Sequence, residues 1–214
     1  MKKYIINLTA LTSLFLTIVA VQAAPPSAEL KVKGKIGVPS CIVVSPDNGI
    51  YNLGQISSTQ VKPGTTVNTL PSMTKTWTVN CDAVTYLGYT SVDNRLTSVS
   101  DTSTARNYGL GNVNRTGKIG FYTAIISNPS VDGQSSSLYY AQGSGAGTAN
   151  TSAYLVTGYR YGWSNSTAVA TAGKTFNADI TVAPVLAGTT TMNGPITEDT
   201  NIDGSLTMNF AFGI

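Results

Sequence analysis

From the end of an apolar leader onward, the chain alternates rather than turning with helical spacing. Leu30, Val32, Gly34, Ile36 and Val38 alternate with Lys31, Lys33, Lys35 and Gly37. This predicts a half-buried strand over residues 30–38, apolar on one face and mainly lysine on the other. Pro39 has no backbone N–H to donate, so pairing breaks or bulges before Cys41, and residues 41–44 continue extended. Pro46-Asp-Asn-Gly49 reads as a turn, followed by a short strand over residues 50–53. Trp77, Val79 and Cys81 share a face because Thr78 and Asn80 intervene. Further strands are predicted over residues 86–92, 117–127, 154–161, 178–185 and 205–214, separated by clusters of Gly, Asn, Ser and Pro. The fold class this implies is all-β, a β-sandwich with long loops. There is no internal repeat and no linker composition, so residues 24–214 read as a single domain.

The first 23 residues have a different character. Lys2 and Lys3 precede a mostly apolar stretch, and Val21-Gln-Ala23 supplies small residues for cleavage, so residues 1–23 read as a secretory signal peptide. Asn7, Thr9, Thr12, Ser13 and Thr17 interrupt the apolar run, which falls short of the roughly 20 residues a membrane-spanning helix needs. No later segment is long and apolar enough to span, so the mature chain is expected to be exported, to the periplasm or cell surface, without a transmembrane segment. In that oxidising space two cysteines, Cys41 and Cys81, predict one disulfide.

Composition narrows the function by exclusion. Losing Lys2 and Lys3 lowers the formal charge of +3 by two, which leaves no basic surplus of the kind that binds nucleic acid. The chain has no histidine, which removes a histidine-based triad or general base, and two thiols alone make no zinc site. Carboxylates are scattered, and no cofactor is expected. Gly111 to Lys118 fails as a phosphate loop because five residues separate its glycines and Ile119 follows the lysine, so a turn is predicted. Asp199-Thr-Asn201-Ile-Asp203-Gly204 begins like a calcium loop, but Phe210 occupies the position of the bidentate glutamate, and a plain loop is the better reading. Tyr139, Tyr140, Tyr154, Tyr159, Tyr161 and Trp163 lie among Gly and Ser; alternation assigns most of them to strands with one face in the core. The chain is therefore read as a structural or interaction protein and not an enzyme.

Three segments resemble corresponding parts of chaperone–usher fimbrial (pilin-like) subunits: residues 31–41 ending at Cys41, Thr76-Trp-Thr-Val-Asn-Cys81, and the terminal residues 204–214. Val92-Asp-Asn-Arg95, Tyr108-Gly-Leu-Gly111 and Thr116-Gly-Lys-Ile-Gly120 resemble the GltF-like family of exported bacterial proteins, a domain of unknown function. The resemblance implies an immunoglobulin-like sandwich that lacks its last strand and is completed by strand addition from a periplasmic chaperone or a neighbouring subunit, with an outer-membrane usher as a further partner. On this reading Leu206, Met208, Phe210, Phe212 and Ile214 form the contact strand bordering the open groove. Gly213 stands where many pilins have a penultimate aromatic. With residues 30–38 assigned to the fold, only Ala24 to Glu29 remain as a donor, which is too short and proline-rich for that role. The expectation is thus a fimbrial-like structural or adhesion subunit that accepts a strand but donates poorly, as a tip, minor or accessory subunit. The alternative is a self-contained monomeric periplasmic or secreted binding protein.

Overall fold

The computed structural model describes residues 25–212 except residue 144. The expected signal peptide, residues 1–23, and Ile214 of the expected contact strand lie outside the described residues. The chain divides into two units, Met1–Gly37 and Val38–Ile214. The described part of the first unit, residues 25–37, contains no helix or strand, and Leu30, Val32 and Ile36 are 85%, 90% and 102% exposed. Within it Lys31 forms an ion pair with Glu29 at 3.1 Å.

The second unit is an all-β sandwich of two antiparallel sheets. Its principal strands are β1 (Cys41–Val44), β2 (Met73–Thr85), β3 (Leu87–Asp93), β4 (Gly120–Val131), β5 (Ser137–Gln142), β6 (Thr148–Asn150), β7 (Ser152–Tyr154), β8 (Tyr159–Ser164), β9 (Gly173–Leu186) and β10 (Leu206–Phe212). One sheet runs β1-β2-β9-β4-β7 and the other β6-β5-β8-β3-β10. The paths β1-β2-β9-β4 and β3-β10 reproduce the ABED and CF pairings of an immunoglobulin-type sandwich, in which a seventh strand, G, lies beside F. Among the described residues no strand pairs with the far edge of β10.

Alternation decides which side chains enter the core. Along β4, Tyr122, Ala124 and Ile126 are buried while Thr123 and Ile125 are not, and in β9 Phe176, Ala178 and Ile180 are buried in the same alternation, with Ile180 opposite Ile126. Cys41 and Cys81 are opposed in the β1–β2 ladder and are disulfide-bonded, as the pairing in an oxidising compartment predicted. Closing a loop of this length contributes roughly 4 kcal/mol in the chain-entropy model.

Three expected strands take a different form. Residues 30–38 are not a strand: the β1–β2 ladder stops where Asp82 takes the Ser40 amide at 2.9 Å through its carboxylate, and Pro39 offers no N–H beyond that point. Residues 154–161 are not one strand but the crossing from β7 to β8. Leu155 is fully buried there, and the Tyr161 hydroxyl both donates to Tyr154 O and accepts from Val156 N, each at 2.7 Å, so one side chain closes the crossover. Residues 50–53 have no ladder partner among the described residues, although Ile50 is extended at φ −82° and ψ 123°. By contrast, residues 111–118 form the predicted turn, with Asn112–Val113 paired to Gly117–Lys118.

A candidate strand-acceptor groove

A groove of about 1210 Å³ lies beside the start of β10. Its floor is the inner face of the first sheet, including Trp77, Tyr122, Ala124, Val182 and Leu186. One wall is formed by residues 49–58 and the other by residues 196–206.

Local chemistry fixes the first wall. Asp47 and Asn48 take positive φ (49° and 54°), and Gly49 at +79° lies so close to the Trp77 ring that a Cβ there would sit 3.2 Å from it. The turn therefore needs glycine at this position. Tyr51 then reaches back to the floor: its hydroxyl donates to Ile180 O at 2.9 Å and accepts from Trp77 Nε1 at 3.1 Å. Burial pushes its phenol above the ordinary tyrosine range, with the Trp77 hydrogen bond opposing that shift and the nearby Asp179 charge adding to it. Lys75, an inward-facing cation, is neutralised by Asp47 and donates to Ile50 O at 2.6 Å. The wall is thus held to the sheet by side chains while residues 50–53 have no ladder partner.

The second wall is held by a brace of polar contacts. Asp93 accepts from Arg95 N at 2.7 Å and from Gly109 N at 2.9 Å, while Ser98 Oγ donates to Arg95 O and accepts from Gly111 N. Arg95 in turn holds Asp203, with Nη2 at 2.8 Å from the carboxylate. A Cβ on Gly111 would come within 2.2 Å of Asp203 Oδ1, so the contact requires glycine. The segments Val92–Arg95 and Tyr108–Gly111, which carried the family resemblance, meet here as structural supports of the groove. Asp203, the third ligand position of the calcium-like loop, is committed to Arg95. Sequence reading identified these motifs without their role, because the contact that ties them to the second wall joins Arg95 to Asp203, 108 positions away.

Of the residues expected to form a contact strand, Leu206–Phe212 form β10. Leu206, Met208 and Phe210 point inward on β10, opposite Asp93, Ser91 and Tyr89 of β3, yet all three are only half-buried. Phe210 packs on Tyr89 with ring centroids 5.5 Å apart. Phe212, on the same face, is 39% exposed. Their alternate neighbours Thr207, Asn209 and Ala211 face outward. Leu206 lines the groove.

The tyrosines divide as alternation predicted for most of them. Tyr161 and Trp163 are buried, and Tyr139 lies across Gly162, where a Cβ would meet its ring at 2.4 Å. Tyr154 remains partly exposed, beneath Arg106 at 4.7 Å.

Comparison with known proteins places a match over part of the chain. A family model described as "Protein of unknown function (DUF1120)" matches residues 30–107, so the similarity takes in the N-terminal segment and β1 to β3 but not β4 to β10. No curated protein matches the chain. Among the described residues, no helix is long and apolar enough to cross a membrane.

Proposed function

We propose that this protein is an exported fimbrial-like structural or adhesion subunit whose groove is filled by a β-strand from a periplasmic chaperone or a neighbouring subunit. The observation that carries the reading is the groove itself: an apolar floor flanked by residues 50–53, which have no ladder partner among the described residues, and reaching at Leu206 the start of β10, whose far edge is unpaired among them. A strand laid between them pairs its main chain with both walls and places alternate side chains on the floor. Unfilled, an apolar edge strand is an aggregation site.

The segment over residues 30–38 also changes the picture. Because the fold does not use it as a strand, its alternating apolar face is available, and the reason for expecting poor donation falls away. The proposed subunit therefore both accepts and donates. Co-expression with a periplasmic chaperone tests the reading: a one-to-one complex on size exclusion and a higher yield of soluble protein are expected. A stable monomer that gains nothing from the chaperone would instead favour a self-contained binding protein.

A further inference from the structure

The groove's lip is acidic, and the segment proposed to enter such grooves is basic. Glu198 and Asp199 line the second wall and are exposed, and the groove lining contains no lysine or arginine. The ion pairs among the described residues are Lys31–Glu29, Lys75–Asp47 and Arg95–Asp203, so neither carboxylate of the lip belongs to one. In residues 30–38 every second residue from Lys31 to Lys35 is a lysine, on the face opposite Leu30, Val32, Ile36 and Val38. Lys31 is paired with Glu29; Lys33 and Lys35 are in no ion pair among the described residues.

Resting on the proposed strand uptake, we infer that Glu198 and Asp199 select and align residues 30–38 of a second copy by engaging Lys33 and Lys35. With the apolar face on the floor, the lysines point outward to the level of the lip, about 6.6 Å apart along the strand. The charges add to what the floor reads. A one-residue slip reverses both faces and is rejected by burial, but a two-residue slip keeps the apolar face inward. The gap left by Gly34 marks the register on the floor, and the lip adds to it by disfavouring the two-residue slip that puts Gly37 in place of a lysine. Steering by an exposed acidic lip acts mainly on association rate and weakens with salt.

The experiment follows binding of a fluorescent peptide of residues 28–40 to the full chain carrying Val32→Asp and Ile36→Asp, whose own segment is thereby kept from competing. Glu198→Gln with Asp199→Asn should slow association by about three- to tenfold at low salt, as two exposed ion pairs allow. A peptide with Lys33→Gln and Lys35→Gln should show the same loss, and combining both changes should cost little more. Binding that is equally fast with and without the acids overturns charge selection and leaves strand uptake standing. Absence of binding by every variant at every salt concentration overturns both.

Discussion

Five tyrosines, Tyr51, Tyr89, Tyr108, Tyr122 and Tyr161, have their phenols pushed above the ordinary range, in each case chiefly by burial. The Tyr89 hydroxyl is fully buried without a hydrogen-bond partner among the described residues. The sign of the consequence is fixed by linkage. Above about pH 10 the unfolded chain gives up these protons while the folded chain retains them, so stability falls as pH rises through that range. Alkaline titration should show the buried phenols ionising together with loss of β structure by circular dichroism. Normal titration near pH 10 with the sandwich intact would mean that these phenols are exposed to solvent. Single residues also explain where sequence reading stops: Trp77 and Cys81 were placed on one face by alternation, whereas the bond from Trp77 to Tyr51, which ties a wall to the floor, joins segments with no pattern in common.

Among the elements, β10 was the most legible, because Leu206, Met208 and Phe210 alternate without interruption and only one face of such a strand enters a core. Residues 30–38 alternate just as clearly and are not a strand of the fold. Alternation states which side chains share a face and says nothing about whether a neighbouring backbone is present, which is a long-range property. The same limit explains residues 50–53, read as a strand and found extended without a partner. Residues 154–161 failed for another reason: the buried Leu155 and the Tyr161 hydroxyl carry the chain from one sheet to the other within what reads as one run. The prediction proper to this scale concerns Phe210. Phe210→Asp places a carboxylate against Tyr89 on the inward face of β10, where no cation is paired to receive it, at a cost of several kcal/mol in a filled groove. Chaperone co-purification should be abolished by Phe210→Asp and retained by Thr207→Asp on the outward face; equal retention by both would show that β10 does not border the binding site.

At the scale of the whole molecule, the fold class and the disulfide followed from composition, the two cysteines and period-two patterning. The groove did not, since its floor, its two walls and the brace under them come from segments spread from Gly49 to Leu206. The sandwich reproduces the ABED and CF pairings and, among the described residues, leaves the far edge of β10 unpaired, so the account stands on what occupies that edge. Amide hydrogen exchange of the full chain carrying Val32→Asp and Ile36→Asp, with and without the peptide of residues 28–40, examines that edge directly. The account predicts that amides within Leu206–Phe212 and residues 50–53 slow by at least about tenfold when the peptide is bound, while β5 and β6 in the far part of the second sheet are unchanged. Bound peptide that leaves both walls exchanging at their free rates would contradict strand insertion between them.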